Sequence, residues 1–138
     1  MKGIIIAAGT GNRLSPLTHD MPKCLLEFSG KSLLAHQLAA FNANGISNMA
    51  LVKGHKQEKI NLPNLRYYIN DNFRNNNILN SLFYAEPEMN DDVIITYSDI
   101  LYGPNVLKKL IETKGDIVAV VDTDWKNYYD GRTEHPIS

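Results

Sequence analysis

Continuous apolar runs recur along the chain and predict buried strands. Ile4 to Ala8 is such a run, and Gly9 ends it. A strand that is an unbroken apolar run is typical of a sheet covered on both faces. The same reasoning predicts further strands at Ser47–Val52, Leu65–Ile69, Val93–Tyr97 and Ile117–Val121, and a short one at Cys24–Phe28.

Amphipathic segments between these runs predict helices. Ser32 is a suitable N-cap for a helix that Gly45 ends, because apolar residues recur between them at helical spacing. A second helix is predicted from Asn77 to Glu86, with Pro87 after it, and a third around residues 106–111. Strands that alternate with helices form βαβ units, so we expect an α/β fold: a Rossmann-like three-layer αβα domain with a mostly parallel sheet.

The length of the chain, 138 residues, corresponds to one domain, since domains usually have ~100–200 residues. The last residues, 131–138, are a polar stretch without an element that would close the fold. We therefore expect residues 1–138 to be one domain that is shortened, or the N-terminal part of a larger one. A mobile tail is the alternative interpretation of this stretch.

Composition and charge exclude several classes of protein. Hydrophobic residues make up 43% of the chain and charged residues 21%, which argues against disorder. The net charge of -1 lacks the basic excess of a non-specific nucleic-acid binder. No apolar run approaches the ~20 residues of a membrane span. The single cysteine, Cys24, excludes an internal disulfide and is typical of a reducing compartment, so we expect a cytoplasmic protein.

The loop after the first strand carries the candidate chemistry. Ligands of open α/β sheets bind beyond the carboxyl ends of the strands, and Gly9 and Gly11 let the backbone approach a phosphate there. Leu14 occupies the third glycine position of the dinucleotide-binding fingerprint, which disfavours a dehydrogenase. Arg13 and Lys23 are suited to bind phosphate oxygens. The alternative is that both are solvated loop charges.

This loop resembles the signature of a known enzyme family. The pattern G-x-G-x-R-L-x-P-L-T…P-K of the nucleotidyltransferases that activate sugar phosphates and phosphocholine is matched by Ala7-Ala8-Gly9-Thr10-Gly11-Asn12-Arg13-Leu14-Ser15-Pro16-Leu17-Thr18 and Pro22-Lys23. The resemblance implies that a phosphate or phosphonate oxygen of an acceptor attacks the α-phosphorus of a nucleoside triphosphate and that pyrophosphate leaves. Because that nucleophile is already anionic, no general base is needed, and catalysis reduces to alignment and charge neutralisation.

The resemblance also implies roles for individual residues. Arg13 and Lys23 are the implied catalytic residues, because they contact the phosphates. The pattern Asn77-Ile78-x-x-Ser81-Leu82 is similar to the choline-phosphate and phosphonate cytidylyltransferase branch, which favours CTP, although Asn77 as a helix N-cap is the alternative. The implied nucleotide-binding residues are Ala7, Ala8, Gly9, Thr10, Gly11, Asn12, Asn77 and Ser81.

Asp99 is the candidate metal ligand. Such chemistry uses Mg²⁺, for which a carboxylate at the end of a central strand is the expected ligand. Asp99 follows the apolar run Val93–Tyr97 and resembles the family's metal-binding Asp, while an Asp that caps a turn is the alternative. The family carries a second metal-binding Asp beyond position 138. We therefore expect either that Mg²⁺ is held less completely or that a further segment or a partner supplies the second ligand. This affects turnover more than nucleotide binding.

Acidic and aromatic residues follow the last predicted strand and are candidates for acceptor binding. Aromatic faces together with a carboxylate bind a quaternary ammonium or an amine. The segment is similar to the phosphocholine and aminoethylphosphonate branch of the family. Aromatic residues that merely pack on the core are the alternative. The candidates are Asp122, Asp124, Trp125, Tyr128, Tyr129 and Arg132, of which Arg132 would hold the acceptor's phosphate.

These features predict a Mg²⁺-dependent cytidylyltransferase that moves CMP from CTP to phosphocholine or an aminophosphonate. Two alternatives remain open: a sugar-1-phosphate nucleotidyltransferase that uses dTTP or UTP, and an inactive nucleotide-binding module. The expected partners are a nucleoside triphosphate and a small phosphorylated acceptor, with no nucleic acid and no membrane. A homo-oligomer is also compatible with the sequence.

Overall fold

A computed structural model describes residues 1–130 of the chain. Its strands are β1 (Lys2–Ala7), β2 (Glu27–Phe28), β3 (Lys31–Ser32), β4 (Met49–Lys53), β5 (Leu65–Ile69) and β6 (Val93–Tyr97). Its helices are α1 (Leu33–Ala43), α2 (Ile78–Phe83), α3 (Pro104–Glu112) and α4 (Trp125–Tyr129). The longer strands form one parallel sheet in the order β5–β4–β1–β6, and β2 pairs with β3 in a separate hairpin. No helix in residues 1–130 is both long and apolar enough to span a membrane.

Helices cover both faces of the sheet. Successive side chains of β1 point to opposite faces, and Ile5 packs in a buried cluster with Leu34 and Phe41 of α1. Ile4 packs in a second cluster, against which Leu82 of α2 is partly buried. The expected three-layer αβα arrangement with a mostly parallel sheet is therefore confirmed.

Most predicted elements form close to their expected bounds. β5 and β6 coincide with the predicted ranges, and β1 and β4 differ from theirs only at the ends. Ser32 caps α1 as predicted, because its hydroxyl oxygen accepts a hydrogen bond from the Ala35 N–H at 3.1 Å. Gly45 follows this helix with a φ of +73°, a conformation in which glycine is favoured.

Two predicted elements are shorter than expected. The segment predicted as a strand at Cys24–Phe28 contains part of a 3-10 turn and then only β2. Ser29 and Gly30, whose φ angles are 49° and 77°, turn the chain back into β3 as a two-residue hairpin loop. The helix predicted to reach Glu86 ends at Phe83, and Glu86–Glu88 forms a separate 3-10 turn that contains the proline.

The prediction of a buried strand at Ile117–Val121 is wrong. This segment is irregular, and Ile117 and Val121 are 95% and 71% exposed. Its residues have a high strand propensity, but a strand forms only where a neighbour supplies backbone hydrogen bonds. Within residues 1–130, the edge strand β6 pairs with β1 alone.

Candidate functional site

A cleft of about 320 Å³ opens where β1 and β6 end. These strands are parallel neighbours, so their carboxyl ends meet at one edge of the sheet. The cleft is lined by the end of β1, the glycine loop (residues 9–18), Lys23, the asparagine loop (residues 70–77) with the helix α2 that follows it, and the end of β6 with the two residues after it. The cleft-lining residues that were also predicted from the sequence are Ala7, Ala8, Gly9, Arg13, Lys23, Asn77, Ser81 and Asp99.

The two glycines of the glycine loop have different surroundings. A Cβ at Gly9 would meet no atom within 4 Å, so the backbone there faces open space. Gly11 is buried with a φ of +72°, and a Cβ there would lie 2.9 Å from the Cγ of Lys23. Thr18 fixes the same turn, because its Oγ1 donates a 2.7 Å hydrogen bond to the Gly11 carbonyl. Gly11 therefore packs against the stem of Lys23 instead of lining the cleft.

Lys23 and Asp99 form an ion pair in the cleft, although they are far apart in the sequence. The Lys23 Nζ donates to the Asp99 Oδ2 at 2.7 Å, and the two side chains are 19% and 39% exposed. Lys23 begins a 3-10 turn that buries Cys24, and this anchors the base of its side chain. Arg13 adds an exposed guanidinium at the same cleft. Two cations and a carboxylate at the open edge of a sheet are suited to bind an anionic ligand together with a metal ion.

Asp99 is the carboxylate that a divalent cation would use in this cleft. Among the described residues, no group of three or more His, Cys, Asp or Glu side chains forms a metal site. Mg²⁺ commonly binds one or two carboxylates and takes its other ligands from water and substrate phosphates. A single, partly exposed carboxylate therefore fits a Mg²⁺ ion that binds together with phosphates.

The segment that carries Asp99 is hydrogen-bonded on two sides. The Ser98 N–H donates to the Ile6 carbonyl at 3.1 Å, which continues the contact between the strands beyond β6. On the other side, Gln37 of α1 donates hydrogen bonds of 2.7 and 2.8 Å to two carbonyls of this segment. Sequence reasoning missed Gln37, although it lies on the buried face of α1 with Leu34 and Phe41, where a polar side chain requires a hydrogen-bond partner.

One buried side chain, Asn70, holds the asparagine loop. Its Nδ2 donates to the Ser81 Oγ at 2.8 Å and to the Asn76 Oδ1 at 3.0 Å. Its Oδ1 accepts from the Asn72 N–H and the Asn76 Nδ2, both at 3.1 Å. Ser81 in turn donates to the Asn77 carbonyl at 3.2 Å, so its hydroxyl proton is used within the protein. The sequence did carry a signal for Asn70, because it is a polar residue directly after β5.

Asn77 and Phe73 line the same wall of the cleft. The Asn77 Oδ1 accepts from the Asn80 N–H at 2.9 Å and caps α2, as its alternative interpretation anticipated. Its amide nitrogen makes no hydrogen bond within residues 1–130 and is available for a ligand. Phe73 packs edge-on against His55, with the ring centroids 6.1 Å apart. An aromatic ring in this wall is able to stack on a nucleobase.

Several predicted site residues do not line the cleft. Asp122 accepts a 2.9 Å hydrogen bond from the Asp124 N–H, and Asp124 accepts from a side-chain amide of α4, so both carboxylates stabilise the start of that helix. Trp125 and Tyr129 contact each other edge-on within α4. Arg132 lies outside the described residues. The described residues that were predicted to bind ligands but lie outside the cleft lining are Thr10, Gly11, Asn12, Asp122, Asp124, Trp125, Tyr128 and Tyr129.

The chain is similar to nucleotidyltransferases. The family model described as the MobA-like NTP transferase domain matches residues 3–136. Over 99% of its length, the chain is 33% identical to the CTP:phosphoglutamine cytidylyltransferase of Campylobacter jejuni and covers 58% of that protein. Over 91% of its length it is 28% identical to a UTP–glucose-1-phosphate uridylyltransferase of Haloferax volcanii, of which it covers 56%.

A solved structure has the same fold over most of the chain. The CTP:phosphocholine cytidylyltransferase from Streptococcus pneumoniae matches with a TM-score of 0.69 at 26% identity. The match covers 75% of this chain and 49% of that one. The chain therefore spans about half the length of each of these three relatives.

Proposed function

Because the chain belongs to the MobA-like NTP transferase domain family, we propose that it transfers CMP from CTP to a phosphorylated small molecule. A phosphate or phosphonate oxygen of the acceptor attacks the α-phosphorus. The bond from that phosphorus to the bridging oxygen breaks, and pyrophosphate leaves with the electron pair. The nucleophile is anionic, so no proton has to be removed. The observation that carries the proposal is the Lys23–Asp99 pair in a cleft that Arg13 and Gly9 also line.

In this mechanism the cations of the cleft neutralise the phosphates. The planar guanidinium of Arg13 binds two phosphate oxygens at once, and Lys23 contributes a compact charge at the reacting centre. The open space in front of Gly9 lets phosphate oxygens approach the backbone. Asp99 would hold Mg²⁺, which when bound offsets negative charge on the phosphate oxygens.

We propose CTP as the nucleotide because cytidylyltransferases are among the relatives. The amide side chains of the asparagine loop are also suited to pair with the edge of a base. For the acceptor we propose phosphocholine or an aminophosphonate, whose cationic end suits the carboxylates and exposed aromatic rings of residues 122–129. We assign the protein to the cytoplasm because its one cysteine is unpaired and buried.

Two other functions are each favoured by one observation. Similarity to the uridylyltransferase of Haloferax volcanii favours a sugar-1-phosphate acceptor with UTP or dTTP. A nucleotide-binding module without turnover is favoured by the single carboxylate that the described residues offer to a metal in the cleft.

Pyrophosphate release separates these functions. The chain is incubated in Mg²⁺ with CTP, UTP, dTTP or GTP and with phosphocholine, 2-aminoethylphosphonate or glucose-1-phosphate. We expect release with CTP and one of the first two acceptors. Release only from UTP or dTTP with the sugar phosphate contradicts the proposal and supports the first alternative. Calorimetric binding of CTP without release in any combination supports the binding module.

Variants of the ion pair test the roles of its residues. Lys23→Ala should lower the rate about a hundredfold or more, since it removes charge stabilisation at the reacting centre. Lys108→Ala is the matched control, because Lys108 is exposed on α3 with only a 3.9 Å pair to Glu112. Asp99→Asn should abolish the dependence of the rate on Mg²⁺. If Lys23→Ala unfolds the protein under assay conditions, Lys23 is a structural residue and its catalytic role is rejected.

A further inference from the structure

Gln37 of α1 forms hydrogen bonds with the backbone of the segment that carries Asp99. Its Nε2 donates one hydrogen bond to the Tyr97 carbonyl at 2.8 Å and another to the Ile100 carbonyl at 2.7 Å. These carbonyls lie on either side of Ser98 and Asp99 in the chain. We infer that Gln37 is a positioning residue, which fixes the Asp99 carboxylate for Lys23 and for the metal ion. The inference rests on the proposed function.

The chemistry of the contact requires an amide NH₂ group at this place. Two carbonyls that converge on one side chain need two donors, and the Gln37 Nε2 carries two N–H groups. Aspartate, glutamate or an apolar side chain would leave at least one of the carbonyls without a donor. The orientation of the amide is fixed by the same argument, since its oxygen would repel both carbonyls.

Burial of the Gln37 amide costs free energy, so the need to fill space does not explain why a glutamine stands here. Gln37 is fully buried, and its Oε1 has no hydrogen-bond partner among residues 1–130. A buried acceptor without a partner is destabilising, so an apolar residue would serve better if the position only filled space between α1 and the sheet. The polar side chain is therefore explained by the backbone that it holds.

The two clamps on the segment act together. The Ser98 N–H is bound to the Ile6 carbonyl of β1, and Gln37 binds the carbonyls on either side. Asp99 thus projects from a backbone fixed against both the sheet and α1. Without the Gln37 donors, the Tyr97 carbonyl would keep only the 3.3 Å hydrogen bond from the Thr96 Oγ1 and the Ile100 carbonyl would turn towards water. The Asp99 carboxylate would then move from the Lys23 ammonium.

The first experiment measures the Lys23–Asp99 pair without nucleotide or metal. Lys23 is methylated with formaldehyde and cyanoborohydride, and mass spectrometry gives its labelling rate relative to exposed Lys108. Gln37→Met keeps the side-chain length but removes both donors, and it should raise the labelling of Lys23 towards the rate in Asp99→Asn. Phe41→Leu is the control, because it loosens the packing of the same helix and its side chain has no hydrogen-bonding group for the carbonyls of residues 97–100.

The second experiment measures Mn²⁺ binding by electron paramagnetic resonance in the presence of CTP. Loss of the residue that orients a metal ligand weakens metal binding by about tenfold or more, which we expect for Gln37→Met. Gln37→Asn is a second variant, which keeps the amide group. Its shorter side chain cannot reach both carbonyls, so it should weaken Mn²⁺ binding as Gln37→Met does. Phe41→Leu should keep the wild-type affinity even where its melting temperature is lower.

The outcomes distinguish this inference from the proposed function. If Gln37→Met and Gln37→Asn both leave the labelling of Lys23 at the wild-type rate, the positioning role is rejected. The positioning role is also rejected if Phe41→Leu raises the labelling of Lys23 as much as Gln37→Met does when the two variants have lost equal stability. If the wild-type chain binds no Mn²⁺ with CTP, the proposed function fails, whereas the labelling experiment still decides whether Gln37 positions Asp99.

Discussion

Gly11→Ala tests whether the turn of the glycine loop determines where Lys23 lies. An alanine at a φ of +72° is strained by about 1–2 kcal/mol. Its Cβ would lie 2.9 Å from the Cγ of Lys23, whereas carbon atoms in contact are about 3.5–4.0 Å apart. The stem of Lys23 therefore has to move by roughly 0.5–1 Å. Because the moved atom lies near the backbone, the displacement carries Nζ away from Asp99.

Gly30→Ala separates the strain from the displacement. Gly30 has a φ of +77°, but a Cβ there would meet no atom within 4 Å. Both variants should lose about 1–2 kcal/mol of the free energy of unfolding, and Gly11→Ala somewhat more. Only Gly11→Ala should lose activity, by about a hundredfold, since a misplacement of about 1 Å in a catalytic site has that effect.

Urea denaturation measures the loss of stability, and pyrophosphate release measures the rate at saturating CTP. The reasoning is refuted if Gly11→Ala keeps the wild-type rate while it loses as much stability as Gly30→Ala. An equal loss of rate in both variants refutes it as well, because the rate would then follow stability and not the position of Lys23.

Three further predictions concern single residues. The pKa of Glu88 is lowered to about 2, chiefly by its hydrogen bond from Arg66. The ionised Glu88 therefore stabilises the folded state fully above about pH 4.5, and this stabilisation is lost as the pH falls towards 2. The shift corresponds to at most about 3 kcal/mol in the free energy of unfolding, and to less because Arg66 is half exposed to solvent. Urea titrations of the wild type and Glu88→Gln should differ at pH 7 and converge only near pH 2. Asn70→Ala should weaken the affinity for CTP measured by calorimetry, because the asparagine loop loses the hydrogen bonds of that side chain. Asn75 is exposed, and Asn75→Ala should change the free energy of unfolding by no more than about 0.5 kcal/mol. Ser32→Ala removes the cap of α1 and should lower the free energy of unfolding by about 1 kcal/mol without changing the pyrophosphate-release rate.

The sequence predicts the centre of the sheet well because β1 and β4 are buried on both faces. Such strands are unbroken apolar runs, as β1 is, and the helix α1 between β1 and β4 accounts for their parallel pairing. The same logic anticipates that the ends of β1 and β6 meet, and hence that Asp99 lies near the glycine loop. It fails for Ile117–Val121, because whether an apolar run forms a strand depends on a partner that local sequence does not reveal.

The side chains that anchor the cleft are harder to predict than those that line it. Lys23 and Asp99 follow motifs that reflect the chemistry of phosphates. Gln37 contacts a segment some 60 residues away, so its place on the buried face of α1 indicates a polar partner but not which one. The pairing of Asn70 with Asn76 and Ser81 depends likewise on how the chain turns after β5. Tertiary hydrogen bonds of this kind have no periodic signature in the sequence.

Each of three segments at the cleft is held by one buried polar residue, whose side chain forms hydrogen bonds with the backbone of that segment. Thr18 binds the Gly11 carbonyl in the glycine loop, Asn70 binds the Asn72 N–H in the asparagine loop, and Gln37 binds two carbonyls around Asp99. Loops that must present backbone and polar groups to a ligand cannot be fixed by apolar packing, so internal hydrogen bonds replace it. Substitutions of these buried polar residues should therefore lower the catalytic rate more than they lower the free energy of unfolding. Substitutions in the apolar core should instead lower both together.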